Sequence, residues 1–240
     1  MRELTIKPNE AGQRLDKFLT KYMPLAPRSF FYKMMRKKNI TLNGKKAAGQ
    51  ERLSEGDKVK LFLSDETVEK FTEKDSAMHR RIVPGAELDI LYEDKHTIFI
   101  NKPAGMLSQK AAKEDVSLVE YLTGYLMEHG QISEEELRTF HPSVCNRLDR
   151  NTSGIVAAGK TLAALQELSA MFRERSLKKY YLCLVAGAVP KGGHISGFLT
   201  KDPRTNRVFF SRKRTEGAAG IETEYHPLCA GEGVTLLEVH

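Results

Sequence analysis

Leu15, Phe18, Leu19 and Tyr22 recur at spacings of three and four in the run that opens at Gly12, which predicts one amphipathic helix. Pro24 and Pro27 break it, and Pro27-Arg-Ser opens a second helix over residues 29–39, where Phe30, Tyr32 or Lys33, Met34 and Lys37 divide between an apolar and a basic face. The next segment, ITLNGKKA, reads as a β-hairpin, because Asn43-Gly44 supplies the positive φ angles of a tight turn. LSEGDKVKLFL repeats that logic with Glu55-Gly56-Asp57 as turn and Val59, Leu61 and Leu63 alternating along a strand.

From Ser64 to Pro84 the chain is charged and aperiodic, which predicts a linker ending at about Pro84-Gly85. Beyond it, Leu88–Tyr92 and Thr97–Ile100 read as strands around a turn at 93–96, followed by the loop Asn101-Lys-Pro-Ala-Gly. Helical periodicity is expected at Ser117–His129, with Ser117 as cap, and at Thr161–Glu174; strands are expected at Tyr180–Val185, Val208–Ser211 and Thr235–Val239. Helices and strands mix without strict alternation, so the expected class is α+β, mainly antiparallel, not a doubly wound parallel sheet. The expected organisation is a small two-helix, short-strand domain over 1–63, a linker over 64–84 and a larger domain over 85–240.

Charge sharpens this division. The net charge is +7, yet residues 1–63 hold fifteen Lys or Arg against six Asp or Glu, whereas 64–240 hold twenty-three against twenty-five. A basic excess confined to one end suits a polyanion such as a nucleic acid, or else a solvated inert face. No apolar run reaches membrane-spanning length and Met1–Lys7 lacks an apolar leader stretch, so a cytoplasmic chain without membrane contact is expected. Cys145, Cys183 and Cys229 lack the close spacing of a disulfide frame or zinc site and are expected to be small buried hydrophobes. Nothing in the residues asks for a metal or cofactor, and a monomer is expected.

The most unusual segment is Cys145-Asn-Arg-Leu-Asp-Arg-Asn-Thr-Ser-Gly-Ile-Val-Ala-Ala-Gly-Lys160, in which turn-forming residues lead into an apolar run. Asp149 between Arg147 and Arg150 is expected to stay ionised, because neighbouring positive charge favours the carboxylate. Such an acid can attack or stabilise, while the arginines hold phosphates. The alternative is a surface turn with a local ion pair.

Asn146-Arg147-Leu148-Asp149-Arg150-Asn151-Thr152-Ser153-Gly154 resembles the His-Arg-Leu-Asp-x-x-Thr-Ser-Gly signature of the RluA/RluD-type pseudouridine synthases, with Asn146 in place of His. ILYEDKHTIFINKPAGMLS at 90–108 and KKYYLCLVAG at 178–187 are similar to two further segments of that family, in the same order. GQRLDKFL, the basic helix and ITLNGKKA together look like the RNA-binding domain first described in the fourth protein of the small ribosomal subunit. Relatives continue past LLEVH with a basic segment whose first arginine or lysine pairs with the catalytic aspartate, so the resemblance implies a synthase domain that is C-terminally truncated at His240.

The resemblance implies an isomerase that needs no cofactor: the uridine base is detached from its sugar, turned and rejoined through carbon. Asp149 carries over as the catalytic residue, adding to the anomeric carbon or taking a sugar proton, and the two routes stay open. Tyr181 carries over as the residue against the target base. Tyr180 competes with it, but alternation along a strand sends the two to opposite faces. The target must leave its stack, and phosphate contacts offset that cost. The basic residues expected to supply them are Arg14, Lys17, Arg28, Lys33, Arg36, Lys37, Lys45 and Lys46, with Arg147 and Arg150 beside the acid. The expected partner is ribosomal RNA of the large subunit, with transfer RNA as the alternative substrate. A non-catalytic RNA-binding assembly factor is the competing function; a glycosidase is less favoured, since residues 141–160 offer no second acid.

Overall fold

The computed structural model describes residues 1–72, 83, 87–112, 114–202, 204, 205 and 207–240; the expected linker end at Pro84-Gly85 lies outside them. Two compact units result, Met1–Glu174 and Arg175–His240.

The first unit begins with β1 (Arg2–Thr5), α1 (Leu15–Tyr22), α2 (Arg28–Arg36), β2 (Ile40–Leu42), β3 (Lys45–Lys46), β4 (Lys58–Leu61) and α3 (Asp65–Phe71). Its antiparallel sheet runs β1-β4-β2-β3. Asn43 at φ 50° and Gly44 at φ 74° turn the β2–β3 hairpin, as the Asn-Gly pair requires. Leu15, Phe18 and Leu19 of α1 pack with Val59 and Leu61 of β4 in one core. From α2 it is Phe31 and Met35 that are buried, with Phe30 and Met34 only flanking them, so the apolar stripe is rotated by one residue from the expected one. The expected linker contains α3, capped by Ser64 Oγ accepting from Thr67 N at 3.2 Å. Only Val68 of this charged helix is buried, which explains why no periodicity announces it.

The unit continues through β5 (Ile90–Glu93), β6 (Thr97–Lys102), α4 (Leu118–Glu128), α5 (Glu134–Leu137), β7 (Ser143–Val144), β8 (Gly154–Gly159) and α6 (Leu162–Arg173). The sheet order is β5-β6-β8-β7, antiparallel throughout. Ile98, Ile100, Val156 and Ala158 meet Leu118, Leu122 and Leu126 of α4 in a second core. Ser117 opens α4 through a capping box in which its N–H donates to Glu120 at 2.9 Å. Thr161 caps α6 by accepting from Ala164 N at 3.3 Å. Glu93 braces β5, accepting from Lys160 Nζ at 2.6 Å, Tyr125 Oη at 2.8 Å and Gln131 Nε2 at 2.9 Å. Burial alone raises the Glu93 carboxyl, but these donors outweigh it and hold it below the usual carboxylate range.

Residues 1–72 share this unit with 87–174 because contacts join them. Thr139 Oγ1 donates to the Glu10 carboxylate, Lys7 Nζ lies 3.2 Å from Glu135, and the Arg138 guanidinium sits 5.0 Å from the centre of the Tyr22 ring.

The second unit is one antiparallel sheet of β9 (Tyr181–Ala186), β10 (Gly193–Lys201), β11 (Val208–Ser211), β12 (Ala219–Gly231) and β13 (Val234–Val239), ordered β11-β10-β12-β13-β9. With helices packed on antiparallel sheets in the first unit, the architecture is α+β. The expected burial of the cysteines is corrected here: Cys145 is half-buried, and Cys183 on β9 and Cys229 on β12 are exposed, because their strands are largely solvent-facing. Among the described residues no helix is long and apolar enough to cross a membrane.

Candidate active site

The loop between β7 and β8 holds Asp149, and several peptide groups around that residue are tied down. Ser108 Oγ donates to Leu148 O at 2.7 Å and accepts from Leu148 N at 3.0 Å. Thr152 N donates to Asp149 O at 3.1 Å, and Gly105 N donates to Arg150 O at 2.7 Å. At the root of the loop the Asn146 amide spans to β8, donating to Ile155 O at 3.1 Å and accepting from Ala157 N at 2.8 Å. Gly154 enters β8 at φ 130°, which explains the glycine there.

Lys102 ends β6 directly behind this loop. It is completely buried, and its Nζ donates to Met106 O at 2.8 Å, Pro103 O at 2.9 Å and Arg150 O at 3.3 Å. Burial pushes the lysine below its ordinary range, and the negative charge of Asp149 acts against that. Lys102 is therefore a fixed cation within electrostatic reach of the carboxylate.

The side chains of Arg147, Asp149 and Arg150 are exposed. Among the described residues, neither arginine forms an ion pair, so the alternative of a surface turn closed by a local ion pair does not hold. The Asp149 carboxylate accepts no hydrogen bond from any of them. The loop thus presents an acid with a rigid backbone, an unengaged side chain and two free guanidinium groups beside it. Such a group can act as nucleophile or base, and no hydrogen bond has to be broken first.

Tyr181 belongs to the second unit, where it opens edge strand β9 opposite Val239 and is 40% exposed. Tyr180 precedes the strand and stacks on His240 with ring centres 4.9 Å apart.

In the N-terminal module the basic residues fall into groups. Arg14 and Arg28 converge on buried Asp16, at 2.9 and 3.1 Å, and Tyr32 Oη donates to the same carboxylate at 3.0 Å. Burial alone raises the Asp16 carboxyl, but Arg14, Tyr32 and Arg28 outweigh it and hold it low. The two guanidinium groups still reach solvent, with side chains 42% and 60% exposed. Lys33 and Arg36 lie three residues apart on the exposed side of α2, exposed Lys37 follows as its C-cap, and Lys17 is exposed on α1. Lys45 and Lys46 are exposed on β3.

Sequence reasoning missed Lys102 and Ser108 as functional residues and treated Asn146 only as a departure from a signature. Lys102 was detectable: alternation that buries Ile98 and Ile100 puts residue 102 on the same face. Among the described residues no group of three or more His, Cys, Asp or Glu is arranged to hold a metal ion.

Comparison with known proteins gives these surroundings a context. Residues 96–240 match the model of the RNA pseudouridylate synthase family, and residues 13–59 match that of the S4 domain. A ribosomal large subunit pseudouridine synthase C of Vibrio parahaemolyticus is 35% identical over 189 residues, 76% of this chain and 54% of the relative. An uncharacterized RNA pseudouridine synthase of Mycoplasma genitalium is 32% identical over 220 residues, 90% of this chain and 66% of the relative. Among solved structures, Human RNA Pseudouridylate Synthase Domain Containing 1 is 20% identical with a TM-score of 0.49, covering 64% of this chain and 59% of that one. The chain spans about half of the first of these curated relatives, at 54% of its length.

Proposed function

Because the chain belongs to the RNA pseudouridylate synthase family, we propose that it converts uridine to pseudouridine in structured RNA, with Asp149 as the catalytic residue. The observation that carries this reading is the Asp149 loop. Its peptide groups are fixed by Ser108, Gly105 and Lys102 while the carboxylate itself stays unengaged.

In the reaction the bond from base nitrogen to the anomeric carbon breaks and a bond from base C5 to that carbon forms. The C5 proton leaves and the ring nitrogen gains one, so atoms balance without a redox partner. The carboxylate serves either as nucleophile at the anomeric carbon or as base toward a sugar proton. For Tyr181 the resemblance supplies a role at the base, helping the carbon-bound proton to leave. Arg147 and Arg150 are suited to phosphates flanking an extruded nucleotide.

The substrate we propose is large-subunit ribosomal RNA, supported by the name of the Vibrio parahaemolyticus relative. The N-terminal module, matched by the S4 model, is proposed to hold that RNA through Arg14, Lys17, Arg28, Lys33, Arg36, Lys37, Lys45 and Lys46. Release of tritium from RNA labelled at uridine C5 follows the reaction directly. Asp149→Asn should abolish release while leaving RNA affinity intact. Undiminished release from that variant refutes the assignment, and an absence of release from both chains favours a non-catalytic RNA-binding factor.

A further inference from the structure

We infer that the hairpin β10–β11 at the edge of the second unit is a further RNA contact, with Phe210 as the platform on which an unpaired base stacks. This inference rests on the RNA-modifying reading above.

Charge is the first observation. Residues 201–214 hold six cations, Lys201, Arg204, Arg207, Arg212, Lys213 and Arg214, against the single acid Asp202. The rest of 64–240 holds seventeen basic against twenty-four acidic residues, taking six from twenty-three and one from twenty-five. The hairpin is thus a positive island in an acidic stretch. All six cations are exposed, and none joins an ion pair among the described residues. The single acid is engaged within the turn itself: Asp202 accepts from Arg204 N at 2.8 Å and Thr205 Oγ1 at 2.7 Å, and its N–H donates to Arg207 O at 2.9 Å.

Aromatic placement is the second observation. Phe210 is 50% exposed, and its ring lies against Gly197 of β10 so closely that a Cβ there would overlap it. The missing side chain at 197 lets the ring rest on the backbone with its remaining surface in solvent. Arg175 and Arg212 line an open groove of about 480 Å³ with Gly197 and Gly220, and Glu222 is its one acid. Cations beside an accessible aromatic plane are the combination that binds single-stranded nucleic acid. A protein partner or a lipid surface would use the charges without needing that plane.

Register gives the direction. Tyr181 pairs with Val239, Val239 with Tyr225, Tyr225 with Gly193, and Leu199 with Phe210. Directly paired residues share a face, as do residues two apart, so Tyr181 and Phe210 project from the same side of this sheet. Four strand steps of about 4.8 Å and six residues of about 3.3 Å separate them by roughly 28 Å. A base on Phe210 therefore lies several nucleotides from one at Tyr181, which makes the hairpin a reader of flanking RNA.

The chain has no tryptophan, so Phe210→Trp installs a single indole at the platform, excited apart from the tyrosines at the red edge. The 240-residue chain is titrated with a single-stranded poly(U) oligomer and with transcribed large-subunit ribosomal RNA, binding being followed separately by anisotropy of the labelled RNA. Leu91→Trp, exposed on β5, is the control. Quenching at position 210 and not at 91 is expected, and Phe210→Ala should weaken affinity about five- to a hundredfold, the loss of one stacked base. Arg204→Glu with Arg207→Glu and Arg214→Glu should also lower the salt dependence of binding. RNA that binds by anisotropy without quenching the indole of Phe210→Trp, together with unchanged affinity in Phe210→Ala, overturns this inference alone. If no RNA binds at all, the RNA-modifying reading falls with it. Unchanged melting of each variant excludes misfolding as the cause of a lost signal.

Discussion

Asn146→Ala tests whether the side-chain bridge at the root of the β7–β8 loop positions Asp149. The substitution removes a donor 3.1 Å from Ile155 O and an acceptor 2.8 Å from Ala157 N. The two losses differ in weight. Ile155 is 60% exposed, so water can replace the lost donor at its carbonyl. Ala157 is 3% exposed, and its N–H would be left without a partner, at a cost of about 1–3 kcal/mol. For a unit of this size that lowers the melting temperature by about 2–4 °C per kcal/mol. Asp149 stands three residues on, so a loosened root shifts the carboxylate, and displacement on the order of 1 Å costs up to about a hundredfold in turnover. The assay is tritium release under saturating RNA beside thermal melting, expected to show kcat reduced about ten- to a hundredfold with KM little changed. Asn146→His should restore most of the turnover, because a neutral imidazole donates from one nitrogen and accepts at the other. Asn146→Asp, which keeps only acceptors, should fall between. Full turnover in Asn146→Ala, or a His variant as slow as Ala, refutes the positioning role.

Lys102→Met leaves the carbonyls of Pro103, Met106 and Arg150 without their common donor and removes the cation behind Asp149; turnover and stability should both drop, the latter by about 2 kcal/mol or more in chemical denaturation. Asp16→Asn should destabilise the N-terminal module by about 1–2 kcal/mol, less than a fully buried pair because Arg14 and Arg28 reach water, and should weaken RNA binding as the two guanidinium groups lose their orientation. Since the folded Asp16 carboxyl is held low, its contribution is present above the unfolded value of about 3.9 and disappears only as pH falls through the lower folded value, so Asp16→Asn should flatten the acid limb of a stability curve. Burial and the Glu93 carboxylate push the Tyr125 phenol up to about 12, so in an alkaline absorbance titration Tyr125→Phe should remove a component that ionises near that pH.

What the sequence disclosed depended on how much of each element is buried on one side. α1, the Asn-Gly hairpin, α4 and α6 were legible because a stripe of apolar residues or a cap marks each of them. α3 was not, since Val68 alone anchors it. β1 and β10 escaped as well: four residues carry little alternation, and Gly193 and Gly197 interrupt the second. β12 is long but mostly solvent-facing, and a bulge between Pro227 and Cys229 shifts its register, so no clean alternation survives. The same openness left Cys183 and Cys229 uncovered. Asp149 stood out through its flanking arginines, but the residues that hold its loop act mainly on backbone groups, and sequence reading has no pattern for such contacts.

That arrangement has a physical logic. An isomerase that must meet an extruded nucleotide needs a reactive group whose position is set in advance, yet any hydrogen bond to the carboxylate would have to be broken before it could attack or accept a proton. Fixing the peptide groups of residues 148–150 satisfies the first need without violating the second. In the activity proposed, the remaining problem is electrostatic, because an RNA seated on the loop would strip water from Asp149 and add phosphate charge nearby. Lys102 answers it from behind: its ammonium is held by three carbonyls, cannot swing forward to neutralise the carboxylate by direct contact, and still lends a positive field. Burial lowers that lysine, so as pH rises the field is lost earlier than for a solvated lysine. One carbonyl loses its donor at the same point, because a neutral amine has only two N–H groups for three acceptors. The activity proposed above should therefore decline on the alkaline side of its pH profile, and an alkaline limb that persists unchanged in Lys102→Met refutes the link.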